Sequence, residues 1–223
     1  MQTIDLNCDM GELKPHQERN FDEEIMPFIS SCNIAGGFHS GSPFLIEKTI
    51  KLAIQHQVKI GAHPSYNDRE NFGRISLKVE SAKLLAELKY QIYAIKGMVE
   101  NLGQQLNHIK PHGALYHDMV ANEALANQVV LLIKSIDPNL KIMALAHSQV
   151  IDVCKKNGMQ FIQEGFADRR YEKINQLSSR QLEGAVLENP KAVLKQIENF
   201  MDGKVQLHNL EFCPIQVQSI CLH

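Results

Sequence analysis

The 223-residue chain has no tryptophan and no excess of either charge. Lys and Arg total 23 against 25 Asp and Glu, a formal net charge of −2. That balance argues against a general nucleic-acid binder, which carries a basic excess. No apolar run approaches the about 18 residues needed to span a bilayer. The five cysteines, Cys8, Cys32, Cys154, Cys213 and Cys221, are odd in number, and no two stand in a C-x-x-C spacing. With no signal peptide ahead of them, reduced thiols in a cytoplasmic protein are the expected state. The phosphate loop G-x-x-x-x-G-K-[ST] is absent, and no G-x-G-x-x-G follows a strand. Neither the nucleophile elbow G-x-S-x-G nor H-E-x-x-H occurs. Those gaps remove the phosphate-loop NTPases, the dinucleotide enzymes, the α/β-hydrolases and one large class of metallopeptidase.

What the chain does have is apolar bulk and histidine. Hydrophobic residues make up 44% of it, enough for the core of a single domain over residues 1–223. Strand-like and helix-like segments alternate. Extended candidates are 3–9, 28–39, 58–63, 106–110, 141–147, 160–167 and 217–223. Between them, 42–57 reads as a helix with Ser42 as cap and Pro43 at its first position. In 80–103, Leu84, Leu85, Leu88, Ile92, Ile95 and Leu102 keep the 3.6-residue period and Gly103 supplies the stop. Further helices are expected over 122–136, 148–158 and 189–204, with a loop region before the last. Repeated strand–helix units imply a parallel sheet with right-handed crossovers. Seven of them suggest an α/β, TIM-like closed barrel. A doubly wound open sheet is the structural alternative.

Reactive side chains gather where these strands end. Asp9 and Glu12 follow the first, His39 ends the second and His63 the third. Lys110 and His112 end the fourth, His147 the fifth, Asp168 and Arg169 the sixth and His223 the seventh. A parallel barrel delivers every such end to one rim, where loops assemble an active site. Any one of these histidines is more simply a half-buried structural residue, and His16, His56, His108, His117 and His208 are assigned to that class. His147 also reads as a plain cap before a helix. Five of ten histidines at strand ends is what a purely structural reading explains poorly. Prolines beside His63 and His112 stiffen those loops, and the glycines of "AGGFHSG" (35–41) let a ligand approach the main chain.

Six stretches carry a resemblance: "IDLNCDMGE" (4–12), "SCNIAGGFHSG" (31–41), "IGAHPSYNDRENFGR" (60–74), "HIKPHGALY" (108–116), "FADRRY" (166–171) and "CLH" (221–223). Together they resemble the LamB/YcsF family from end to end. Three positions depart from its pattern. Gly36 stands where the family has Cys, Ser42 where it has Asp, and Arg170 where it has Gly. The family's sequence continues past Cys-Leu-His with Gly-Asp and a helix, so a rim acid and a barrel-closing helix are expected to be missing from the sequence that stops at His223.

The resemblance implies a seven-stranded barrel of the glycoside hydrolase/deacetylase type. It also implies the A subunit of an ATP-dependent 5-oxoprolinase, which converts 5-oxo-L-proline, ATP and water to L-glutamate, ADP and phosphate with B and C subunits. For that chemistry Asp9 or Glu12 is expected as base. His39, His63 and His112 are expected to shuttle protons, and Lys110 or Arg169 to meet anionic groups. Asn7 is expected to orient the amide. Asp168 and His223 join the substrate-binding set, and the loop carrying Asp68 and Arg74 is a candidate cover. ATP binding falls to this chain or to its partners. A divalent metal on Asp9, His39 and His63 is an open expectation. Two readings of other classes stay beside it: a metal-dependent carbohydrate deacetylase or amidase, and a non-catalytic subunit that binds 5-oxoproline.

Overall fold

A computed structural model describes residues 3–13, 19, 21–180 and 182–222. Seven parallel strands close into a barrel. They are β1 (Asp5–Met10), β2 (Ser31–Ala35), β3 (Lys59–His63), β4 (His108–Ile109), β5 (Lys141–Leu145), β6 (Gln160–Phe166) and, last in the chain, β11 (Ser219–Cys221). Around the barrel the order is β1-β11-β6-β5-β4-β3-β2. Closure comes from β1, which pairs with β2 through Cys8↔Cys32 and with β11 through Asn7↔Cys221.

Five of the helices lie where the sequence predicts them, with trimmed ends, and two short ones, Asp22–Ile25 and Gly113–Ala121, are added. α1 (Asp22–Ile25) is a single turn between β1 and β2. Ser42 caps α2 (Pro43–Gln55), its side chain accepting from the amide of Leu45 at 3.3 Å. This is what a serine does at the position where the family has Asp. α3 (Ser81–Asn101) is capped by Glu80 and buries Leu84, Leu88, Ile92, Ile95 and Val99 on one face. Each such side chain contributes roughly 1.5–3 kcal/mol by leaving water. Leu85 and Leu102 are only half-buried, and Val99 takes the place the period gives to Leu102. After β4 the chain forms two helices, α4 (Gly113–Ala121) and α5 (Glu123–Ile136), bent by 117° at Asn122. The side chain of Asn122 caps the second. α6 (Gln149–Lys156) follows β5.

The segment after β6, expected as loop, holds a hairpin of β7 (Tyr171–Lys173) and β8 (Gln176–Leu177). It continues through α7 (Pro190–Met201) into a second hairpin, β9 (Lys204–Gln206) and β10 (Phe212–Pro214). Strands of two or three residues are too short for alternation to mark them. No single helix among the described residues is long and apolar enough to cross a membrane.

The apolar core lies between sheet and helices, not inside the barrel. Cys8, Cys32, Ile34 and Ile60 face outward into it, with Leu88 and Ile92 among its helical members. On β1, β2, β4 and β11 the alternate positions that point inward are mostly polar, while β5 and β6 place Leu145 and Phe166 on that side. Asp5 accepts from the hydroxyls of Ser30 at 2.7 Å, Ser31 at 2.6 Å and Ser219 at 2.5 Å. Asn7 donates to Ser219 Oγ and accepts from Asn33, and His108 Nε2 donates to Asn33 Oδ1 at 2.7 Å. The His108 ring fits because residue 61 is glycine: a Cβ there would lie 2.2 Å from His108 Nε2. His108 is therefore structural, as expected, but as part of the barrel's inner column. Its pKa is lowered to about 3 by burial, with Lys110 and His63 adding to the depression and Asp5 opposing it.

Two outcomes follow. Gly61→Ala should destabilise the fold by about 1–3 kcal/mol through overpacking against His108, read from urea unfolding. The His108 ring is neutral when folded and gains a proton near pH 6.5 when unfolded. Its contribution is full above that pH and is lost as pH falls towards 3. Going from pH 7 to pH 5 should cost about 2 kcal/mol from this ring alone. Unchanged stability across that range would mean that the ring takes up its proton as readily in the folded chain as in the unfolded one.

Candidate active site at the barrel mouth

The strand ends bring the polar motifs of the sequence to one mouth. Lys110, the first residue past β4, is 2% exposed. Its Nζ lies 3.0 Å from Asp9 Oδ1, 2.8 Å from Glu164 Oε1, 3.3 Å from Asn7 Oδ1 and 3.1 Å from Cys221 Sγ. Burial works against the ammonium charge. Asp9, Cys221 and Glu164 together outweigh it and hold the pKa well above the ordinary lysine value. Lys110 is a fixed cation, and strands β4, β1 and β6 meet on it. Glu164 is absent from the candidates that the sequence supplies. It is fully buried in the middle of β6, and its other oxygen accepts from Tyr116 at 2.9 Å. The sequence does carry a signal for it: a glutamate within a strand of otherwise apolar and amide residues.

Next to Lys110 stand three imidazoles and a carboxylate. His39 and His112 stack face to face, ring centroids 3.7 Å apart, and His63 sits edge-on to both. Each ring is oriented by an acceptor behind it. His63 Nδ1 donates to the carbonyl of Lys110 at 2.6 Å, and His112 Nε2 to the carbonyl of Phe72 at 2.8 Å. Ser65 gives its proton to the carbonyl of Tyr66, so its oxygen accepts from His39 Nδ1 at 2.8 Å. Ser65 is in turn held by Gln91, whose amide pairs with the Ser65 main chain at both N and O. Gln91 packs where a side chain at residue 36 would be, since a Cβ on Gly36 would meet it at 2.8 Å. The glycine at the family's cysteine position thus makes room for the residue that steadies His39. Phe72 and Gly73 both have left-handed backbone, with φ of 55° and 64°, and this turn presents the Phe72 carbonyl to His112.

These outer hydrogen bonds leave His39 Nε2, His63 Nε2 and His112 Nδ1 as lone pairs facing inward. His63 Nε2 and His112 Nδ1 are 3.0 Å apart. Glu12 Oε1 is 2.9 Å from His39, 3.9 Å from His63 and 3.6 Å from His112, and Asp9 Oδ2 is 3.2 Å from His63. Acceptors thus face acceptors. Burial, followed by the neighbouring imidazoles, holds the pKa of His39 and His112 well below the ordinary histidine value. These two rings are neutral near pH 7, which suits ligands better than the proton shuttles expected from sequence. Glu12, His39, His63 and His112 offer donor atoms all within 4.8 Å of one another. Tetrahedral ligands on bonds of about 2.1 Å are about 3.4 Å apart, so this set fits a divalent ion such as zinc. It differs from the set expected from sequence: Glu12 and His112 enter, and Asp9 Oδ1 is committed to Lys110 and to Asn33 at 2.8 Å.

The other sequence candidates divide. Asn7 is fully buried with its amide bonded to Ser219, Asn33 and Lys110, so it supports the site from within the barrel rather than lining the pocket. Arg169 lines the pocket, and Asp168 acts on it as a buried countercharge. Arg74 lines the pocket too, whereas Asp68 Oδ1 accepts from the amide and side chain of Asn71 within its own loop. His147 is exposed, and its ring accepts from the amide of Gln216, so it does not join the cluster. His223 lies outside the described residues. Arg180 and Tyr116 border the same pocket; no feature of the sequence marks Arg180, and Tyr116 enters only as the last residue of the stretch 108–116.

The metal fit has a direct check. The purified chain, dialysed against chelator and titrated calorimetrically with zinc or manganese, should bind one equivalent with a rise in melting temperature. His39→Ala should weaken it about 10-fold or more. No binding by the unaltered chain would remove the cation from this site.

The family model described as the LamB/YcsF family matches residues 4–223. The A subunit of 5-oxoprolinase from Bacillus cereus (strain AH187) is 40% identical over 225 residues, covering 100% of this chain and 89% of that protein. A protein of the same name from Natranaerobius thermophilus is 41% identical over 224 residues, covering 100% and 87%. The crystal structure of a lactam utilization protein from Thermus thermophilus superposes with a TM-score of 0.93 at 32% identity, covering 100% of this chain and 90% of that one. The closed seven-stranded barrel and the end-to-end likeness agree: the chain belongs to the LamB/YcsF family.

Proposed function

We propose that the chain is the A subunit of an ATP-dependent 5-oxoprolinase and opens the lactam ring of 5-oxo-L-proline, working with B and C subunits. The observation that carries this reading is the convergence of Asp9, Lys110 and the three imidazoles on one mouth, in a chain 40% identical along its length to proteins of that name.

A lactam amide is a poor electrophile, and ATP can activate it by phosphorylating the ring carbonyl oxygen, with release of ADP. Water then adds to the ring carbon and the C–N bond breaks, leaving a glutamyl phosphate. A second water releases phosphate and glutamate. The chain's residues divide this work. Asp9 Oδ2, at the pocket and 3.2 Å from His63 Nε2, takes the proton from the attacking water and returns it to the departing ring nitrogen. Lys110 and Asn33 hold the other oxygen of Asp9, so the carboxylate keeps one orientation. Arg169 supplies fixed positive charge to anionic parts of the substrate. A divalent ion on Glu12, His39, His63 and His112 would stabilise negative charge on oxygen in the transition state.

The test is 5-oxoproline-dependent ATP hydrolysis, with this chain alone and with B and C subunits. The expected result is turnover only in the complex. Asp9→Asn should reduce it by about 100-fold or more, the scale of a lost general base. His112→Ala should abolish it. Lys110→Ala should also be inactive, but it strands Asp9 and Glu164 as buried like charges and costs about 3–5 kcal/mol of stability. The isosteric Asp9→Asn is therefore the deciding variant, and near-normal turnover by its folded complex would falsify the assignment.

A further inference from the structure

Beside the mouth lies an open cleft of about 420 Å³ lined by Arg74, Arg169, Arg180 and His117, with Gly113 at the start of α4. No carboxylate lines it among the described residues. It shares Arg74, Gly113, His117, Arg169 and Arg180 with the smaller cavity, about 40 Å³, that reaches Asp9, His63 and Lys110. The inner cavity has room for a few water molecules, and the outer cleft for something larger.

Three guanidinium groups brought together repel one another, and the structure bears the signs. Arg180 is exposed as a residue, but the cleft wall shields part of its guanidinium from water, and this together with Arg74 and Arg169 lowers its pKa to about 10. That of His117 is lowered to about 4 by burial, followed by Arg169 and Arg180, so the ring is neutral and able to accept or donate one hydrogen bond. Arg169 is 2% exposed. One of its terminal nitrogens donates to the carbonyl of Ser178 at 2.7 Å, while its Nε has no hydrogen-bond partner among the described residues. A buried guanidinium with an unmet donor is costly unless a ligand supplies the acceptor. Asp168 relieves Arg169 and Arg180 electrostatically, but one carboxylate leaves the group of three with excess positive charge. Planar donor forks at several angles match the tetrahedral, multiply charged oxygens of a phosphoryl group better than a single flat carboxylate. The amino end of α4, a nine-residue helix without a side-chain cap, adds to the positive potential on the same wall.

We propose that Arg74, Arg169 and Arg180 form a phosphoryl subsite, placed so that a ligand bearing phosphate in the outer cleft presents its reacting carbon to Asp9 and Lys110. The arginine cluster stands on geometry alone. Its part in catalysis rests on the 5-oxoprolinase reading above. Two sources share the chemistry: the terminal phosphate of a nucleotide, or a phosphorylated small substrate made by a partner protein.

Calorimetric titration of the isolated full chain with inorganic phosphate, ATP and 5-oxoproline separates the possibilities, and it needs no turnover. Arg180 is exposed, so Arg180→Gln should fold, with its melting temperature as control. It should weaken phosphate binding about 10-fold or more, the loss of one charge-assisted hydrogen bond, and leave 5-oxoproline binding nearly unchanged. Arg74→Gln should do the same. ATP binding tighter than phosphate, and equally dependent on Arg180, identifies a nucleotide. ATP binding no tighter than phosphate rules out a nucleotide and leaves the phosphorylated small substrate as the source. The inference is overturned if phosphate fails to bind the unaltered chain, if it binds the variants equally well, or if the variants weaken 5-oxoproline instead. Any of these would leave the 5-oxoprolinase reading standing, since that reading is tested by turnover of the complex.

Discussion

An ammonium group sealed inside a protein must be matched on every side, and the match at Lys110 organises this barrel. Asp9 arrives from β1 and Glu164 from β6, while Asn7 and Cys221 fill the remaining directions. Removing water from a lysine and two carboxylates is expensive, and the mutual attraction offsets it only when geometry is good. The arrangement therefore fixes strand register as much as it sets up chemistry. A slip of one residue in β4 would turn Lys110 out to the helices and leave two carboxylates facing each other.

The same logic runs down the barrel axis. Interiors of parallel barrels are commonly filled by branched apolar side chains. Here the axis carries Asp5, Ser31, Ser219, Asn7, Asn33 and His108, linked by hydrogen bonds to the floor of the pocket. Most of the hydrophobic stabilisation comes from the layer between strands and helices, where α3 and its neighbours bury their apolar faces, with a smaller apolar cluster around Leu145, Phe166 and Tyr171. Such a division suits a site that needs oriented charges. A rigid polar column can hold Asp9 and Lys110 in one relation without help from mobile surface loops.

Much of this is legible in the sequence because it depends on local signals. The seven strands, the helix cap at Ser42, and the strand-end placement of Asp9, His39, His63, Lys110 and His112 all follow from alternation, capping chemistry and the parallel connection rule. What escapes depends on contacts between distant segments. Glu164 is one residue in a seven-residue strand, and only barrel closure shows that it faces Lys110. Asn7 is expected to orient the ligand's amide; the pleat puts it on the same inner face as Asp9 but one layer deeper. The role of Gly36 requires knowing that Gln91, from α3, fills its space. Arg180 and Arg74 lie in loops without periodicity, and nothing local marks them as neighbours. His147, expected to end its strand, lies two residues past the end of β5, where a left-handed backbone (φ 58°) turns it to the outer surface.

Asp5 and Ser219 are separated by 214 positions in the chain and meet in a 2.5 Å hydrogen bond. During synthesis, the strand that completes the ring thus emerges from the ribosome long after β1. Until it docks, β1 and β6 remain open edges, and the innermost acids and the lysine stay wet. Such distant closure favours slow maturation and makes the chain that still lacks this strand the form most in need of chaperone protection.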